Sequence, residues 1–337
     1  MKRVGRILVP ILTLACLAAL APAPAQAAPT ASPAAPAQVT TTRQLSRPSS
    51  LNSSWNRLAK IGYGTATSKL GTSPGGENLM IGPDYGVQLP NKTWWYLDAA
   101  KRRLAHYSDV GVYLGQVKMP TRYLAQGIYF QWANPFALAD GTVVLTGNGV
   151  SPALLLLSPQ KKLQKVGLPR FFGPMATDGH SLYGFDEDGS SVRVKPKTGA
   201  MSRVSSFKGQ GGRTFSITAA SDHIIVKRLG VNRRINLIDP AHPSVAVHPA
   251  VEAVMAANGK LWILATGIVE VSPGVAYDVV GLFSVSASGA VSPVEPVRTL
   301  YSETDPGSGH HLGIRQGSSR PTLMFIDTDA VRVYRKK

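Results

Sequence analysis

Six stretches of the chain share one pattern: a short apolar run, a tight turn carrying Gly, Asn, Asp or Ser, and a second apolar run. They are GVQLPNKTWWYLD from Gly86, FALADGTVVLTG from Phe136, PMATDGHSLYGFD from Pro174, SITAASDHIIVKR from Ser216, AVMAANGKLWILA from Ala253 and LGIRQGSSRPTLMFID from Leu312. Asp-Gly and Asn-Gly between apolar runs are hairpin turns, because these residues accept positive φ. Each stretch therefore predicts two antiparallel strands. Behind the first five lies a second predicted hairpin, opening at Arg102, Pro152, Ser191, Arg233 and Val280. Between the turns at Lys92, Gly141, Gly179, Asp222, Gly259 and Ser318 the spacing is 49, 38, 43, 37 and 59 residues.

Four strands in roughly 40–45 residues is the length of one propeller blade. The repeat predicts an all-β fold, a six-bladed β-propeller. The sixth unit ends after its first hairpin and the run AVRVYRKK, one strand short. Trp55 to Tyr63 precedes the first unit and has no partner of its own. Placed beside the last unit, it closes the ring and covers an open edge. Helical periodicity is almost absent. Val251 to Ala257 has a composition that suits a helix, but its place in the repeat makes it a strand.

The first unit carries the most specific pattern. An apolar strand, Trp94 to Asp98, ends in Asp; Arg102 or Arg103 opens the next strand; Tyr107 and a turn from Asp109 to Gly111 follow. In this it resembles an NHL repeat, and the six units in outline resemble the wider six-bladed, TolB-like propeller superfamily. That resemblance implies a propeller scaffold, but the superfamily hosts binding scaffolds, lactonases and lyases, so it fixes no activity.

The start of the chain reads differently. Lys2, Arg3 and Arg6 precede an apolar run from Ile7 to Ala21, and small residues lead to Ala25-Gln26-Ala27. This reads as a secretory signal, with cleavage expected after Ala27 or, one residue on, after Ala28. The single cysteine, Cys16, lies inside it, so the mature chain has no disulfide, zinc-thiolate site or thiol nucleophile. Residues 28–54 are rich in Ala, Pro, Thr and Ser and predict a disordered tether. The expected organisation is a signal over 1–27, a tether over 28–54 and a propeller over 55–337. Secretion to the cell envelope or beyond follows, with no transmembrane segment after signal removal.

Charge adds a class of partner. The chain has 36 basic residues against 19 acidic ones; losing Lys2, Arg3 and Arg6 leaves 33 against 19, a surplus of 14. Such a surplus favours an anionic cell-wall polymer or polysaccharide, with another envelope protein as the other expected partner. The repeat does not point to specific nucleic-acid recognition.

Ligands of propellers meet the connections between blades and the turns between second and third strands. The candidate ligand-binding residues mapped there are Arg122, Tyr129, Trp132, Arg170, Phe171, Arg213, Arg233, His310 and His311. Tyr129 and Trp132 beside Arg122 suit a sugar ring or another flat ligand. Glu303, Asp305, His310 and His311 bring carboxylates and imidazoles to one Gly- and Ser-rich loop. Asp186-Glu187-Asp188-Gly189 lacks the distal Glu of a calcium loop and reads as a hairpin tip. No phosphate loop or His-Glu-x-x-His motif occurs. No catalytic residue, metal ligand or cofactor is assigned. The reading is a non-catalytic binding module or scaffold, with a lyase or lactonase-like hydrolase at the top of the channel as the alternative.

Overall fold

In the computed structural model the apolar runs pair as antiparallel sheets set around one axis. The structure describes residues 36–45, 51–74, 80–81, 86–123, 132–147, 152–273, 275–297, 310–327 and 329–337. The expected signal over 1–27 lies outside them. Among the described residues there is no α-helix, and so none long and apolar enough to cross a membrane.

Blade one is Gly86–Gln88, Trp94–Asp98, Arg103–Tyr107 and Tyr113–Lys118, from the axis outwards. Blade two is Trp132–Ala137, Val143–Gly147, Ala153–Leu157 and Leu163–Gly167. Blade three is Gly173–Thr177, Leu182–Phe185, Ser191–Lys195 and Ala200–Arg203. Blade five is His248–Met255, Leu261–Ser272 and Val275–Val285, edged by bridges Leu282–Glu295 and Val285–Val291. Val251 to Ala257 thus begins in a strand, as its place in the repeat requires.

Blade six is His310–Gly313, Thr322–Ile326 and Ala330–Lys336, and its outer strand is Trp55–Gly62. Trp55 faces Lys336 and Gly62 faces Ala330 in the register. The ring is closed by the N-terminal strand, as the missing outer strand predicts. Lys60 also bonds Asp329 at 3.0 Å, and Trp55 donates its indole N–H to Glu295 at 3.2 Å.

Two expectations change. In blade four, the hairpin from Ser216 supplies the second and third strands, Thr214–Ala219 and His223–Arg228, rather than the first and second. The inner strand is the short Phe207–Lys208, and the turn that follows it is Gly209 to Arg213. Val231–Ile238 is the fourth strand, and Pro243 to Val247 forms none. The reason is conformational. Gly211 and Gly212 take φ of +72° and +69°, so this Gly-rich stretch makes the turn that Asp-Gly makes elsewhere.

The second change concerns the tether. Residues 39–44 of it are the strand Val39–Gln44, which adds to blade four in parallel beside Val231–Ile238. Leu45, next in the chain, is fully buried. Arg43 donates to the carbonyls of Ser292, at 2.7 Å, and Val291 on blade five. An Ala-, Pro- and Thr-rich composition hid one apolar anchor and one arginine that together fix the segment.

The core is a set of seams between blades. Trp95, Leu97, Leu104, Leu145 and Leu155 pack blade one on blade two; Leu154, Val166, Leu182 and Val192 pack two on three. Tyr96, Tyr107, Met324 and Val333 join blades six and one. Strands buried on both faces read as unbroken apolar runs, as in Ala153–Leu157. At the upper turns of blades one, six and three a buried carboxylate meets an arginine: Asp98 with Arg103 at 2.8 Å, Asp327 with Arg332, and Asp186 with Arg170 at 3.0 Å. The Asp98–Arg103 pair is the strand-end Asp and strand-opening base of the repeat.

Candidate ligand channel

Inner strands run from the upper face, which carries the connections between blades, to the lower face, which carries the first turns. A cavity of about 160 Å³ lies along the axis between them. Its wall is mostly apolar: Val87, Phe136, Met175, Val254 and Leu312 come from the inner strands of five blades, and Gly209 and Gln210 from the fourth. Gly209 belongs here for a reason of space. A Cβ on it would lie 2.2 Å from the Met255 Cβ.

Glu252 and His311 are a carboxylate–imidazole pair in this wall. His311 Nδ1 lies 3.2 Å from Glu252 Oε2, which also accepts the Leu312 backbone N–H at 2.6 Å. Both side chains are part-buried, and they come from neighbouring inner strands of blades five and six. A carboxylate and an imidazole held together in an apolar cavity offer a charged, hydrogen-bonding anchor, and they are the groups acid–base chemistry uses.

The lower end of the cavity is closed by the first turn of blade six. Arg315 donates to the Pro90 carbonyl on blade one at 3.1 Å. Gln210 of blade four donates to the Arg315 carbonyl at 3.0 Å and accepts from Gly317 N–H at 2.8 Å. A Cβ on Gly179 of blade three would sit 3.4 Å from the Gln316 side-chain oxygen. Ala257 of blade five donates to the Ser318 carbonyl at 2.9 Å. One turn thus touches four other blades across the axis. Trp94 also lines the cavity; it is buried, and its indole N–H has no acceptor among the described residues.

The residues mapped from sequence divide. His311 is in the channel wall beside Glu252, while Glu303 and Asp305 lie outside the described residues. His310 opens the inner strand of blade six and Trp132 that of blade two. Tyr129 lies outside the described residues. Arg122 is at the upper face with its guanidinium 4.9 Å from the Tyr123 ring centroid. Arg170 and the exposed Phe171 are also there, Arg170 engaged by Asp186 at 3.0 Å.

Arg213 and Arg233 are not with them. Arg213 belongs to the lower turn of blade four and donates to the Ala257 carbonyl at 3.0 Å. Arg233 is near the lower end of the fourth strand and donates to the Gly289 carbonyl at 2.8 Å. The four arginines therefore do not surround one opening. The shift in blade four moved Arg213 and Arg233 to the opposite face.

Glu252, Gln210 and Trp94 were missed as site residues. Glu252 had a signal: it is the one charge inside the apolar run from Val251 to Ala257. Gln210 had none apart from the glycines on either side.

Residues 53–336 match the model of a family described as a domain of unknown function, DUF7485. The chain belongs to the DUF7485 family. No curated protein is similar enough to count as a relative. Solved structures resemble this DUF7485 chain in shape. A catalytically inactive virginiamycin B lyase from Staphylococcus aureus with quinupristin aligns at TM-score 0.45 and 9% identity, over 83% of this chain and 99% of that one. Regucalcin from Agrobacterium tumefaciens, described as a calcium-binding protein, aligns at 0.41 and 11% identity, over 88% and 97%.

Proposed function

We propose that this DUF7485 chain is an exported binding propeller of the cell envelope, and that its ligand site is the axial channel. The observation that carries the reading is the Glu252–His311 pair set in an apolar cavity whose lower end is closed by the blade six turn. A cavity of about 160 Å³ suits a small, largely apolar molecule entering from the upper face, with one hydrogen-bond donor or cationic group against Glu252. Export rests on the basic, apolar and Ala-x-Ala parts of residues 1–27. The NHL-like naming rests on the Asp98–Arg103 pair of blade one.

The test is to recover the secreted protein, measure its intact mass, and screen small molecules by thermal shift. The mature chain is expected to begin at Ala28 or Pro29. A ligand at a hundred times its Kd stabilises by about 2.7 kcal/mol, so hits raise Tm by degrees. Glu252→Ala and His311→Ala are expected to abolish those shifts while leaving the circular dichroism spectrum unchanged. Hits that stabilise all three proteins equally would contradict the channel reading.

The same pair supports a second reading, a lyase or hydrolase in which His311 and Glu252 handle the proton. Mass spectra of the hit compounds after incubation separate the two. Recovery of unchanged ligand supports binding, and a product that His311→Ala fails to make supports catalysis.

A further inference from the structure

A second cavity, of about 550 Å³, opens at the lower rim between blades two and three. It is built differently from the channel. Asp140 and Thr142 come from the first turn of blade two; Ser158, Pro159, Gln160, Lys162 and Gln164 from its outer hairpin; Lys197 from the outer hairpin of blade three. Leu156 and Pro159 give it an apolar lining, while the other side chains offer donors and acceptors.

The charge around this cleft is one-sided. Lys162 and Lys197 line it, and the two outer hairpin tips, residues 158–162 and 196–199, contain Lys161, Lys162 and Lys197 and no acid. All three are exposed. The acid that reaches the cleft is Asp140, and it is already engaged: it accepts the Thr142 N–H at 2.9 Å and lies 3.4 Å from Lys197 Nζ. Burial pushes the Asp140 carboxyl up, but the Thr142 and Lys197 contacts outweigh it and hold the group below its usual range. It therefore stays ionised, and the exposed Lys197 ammonium stands beside it.

We infer that this cleft binds an anionic glycan, with Lys162 and Lys197 on its phosphate or carboxylate groups and Gln160, Gln164 and Ser158 on its hydroxyls. Lysines from two blades hold separate negative groups, and the amides and hydroxyl between them suit a polyhydroxylated chain better than a bare anion. Asp140 does not repel such a chain, because Lys197 stands beside it. The inference does not depend on the channel, and the two sites lie on different parts of the ring.

The test is a titration of the mature protein with polyglycerol phosphate, polygalacturonate, neutral dextran and single-stranded DNA, at low and high salt. Binding to one or both anionic polymers is expected and not to dextran. Affinity is expected to fall at least tenfold between low and high salt, since exposed charges are screened over about 8 Å at physiological ionic strength. The phosphate and carboxylate arms show which group the lysines hold. Lys162→Glu with Lys197→Glu is expected to weaken binding tenfold or more. Arg122→Ser with Arg170→Ser, on the upper face, is expected to change it less than twofold. Three results would overturn the inference: no anionic glycan bound at low salt, equal binding by the double Glu variant, or equal affinity for DNA. Unchanged melting of the double Glu variant shows that a loss of binding is not unfolding.

Discussion

Blades four and six each take a strand from the N-terminal part of the chain, on different terms. Blade six receives Trp55–Gly62 in the outer place that its own sequence leaves empty, paired antiparallel with Ala330–Lys336. Blade four already has four strands and receives Val39–Gln44 as a fifth, in parallel. The family match begins at residue 53, so it includes the first of these strands and leaves out the second. One strand closes the ring, and the other fastens a blade that is complete without it. An absent strand leaves a visible gap in a repeat, whereas an added strand leaves none.

The largest effect that would break this comparison comes from deleting Trp55–Gly62. Trp55, Ala59 and Ile61 are all buried, and burying large apolar side chains contributes about 1.5–3 kcal/mol each. The deletion also exposes the edge of Ala330–Lys336, which invites aggregation. The expected result in a denaturant melt is a loss of about 5 kcal/mol or more with oligomers in light scattering. A truncated protein that melts like the intact one would contradict closure. Next is Leu45→Ala, which leaves a cavity at a fully buried site and is expected to cost about 2–4 kcal/mol. Its loss is expected to leave a monomeric, closed ring. If it produced the same aggregation as the larger deletion, the two strands would not differ in kind.

The smallest effect sharpens the closure of blade six by pH. The Arg332 and Lys60 hydrogen bonds hold the Asp329 carboxyl at about 2, and Lys60 belongs to the closing strand. A depressed carboxylate contributes stability above its unfolded pKa and loses it as pH falls through the folded one. The contribution is therefore complete above about pH 4 and fades toward about pH 2. Melting temperatures of the wild type and Asp329→Asn are expected to differ at pH 5 and to converge near pH 2. A constant difference would show that the carboxylate is not the group involved.

Much of this was legible in the pattern of turns. Asp-Gly and Asn-Gly at Gly141, Gly179 and Gly259 mark lower-face turns correctly, because the positive φ of those glycines is a local demand. Asp222 misled, because its turn joins the second and third strands of blade four, while two positive-φ glycines at 211 and 212 make the lower one. That one displaced turn moved two candidate arginines to the wrong face. The channel was half legible. His311 stood out as an imidazole, but its partner is 59 residues earlier on another blade, and only the closed ring brings Glu252 to it. The cleft at Lys162 and Lys197 was not legible as a site, since surface lysines look alike until two blades set them across one opening.

The most direct measurement of the channel claim is a crystallographic fragment screen of the mature protein. Fragments are expected to gather in the axial cavity, with a donor or cationic group against Glu252 and apolar parts against Phe136, Met175 and Leu312. Glu252→Ala crystals are expected to lose those fragments and keep any bound elsewhere. Fragments that collect on the upper loops around Arg122 and Arg170, with the axial cavity left to water, would contradict the account.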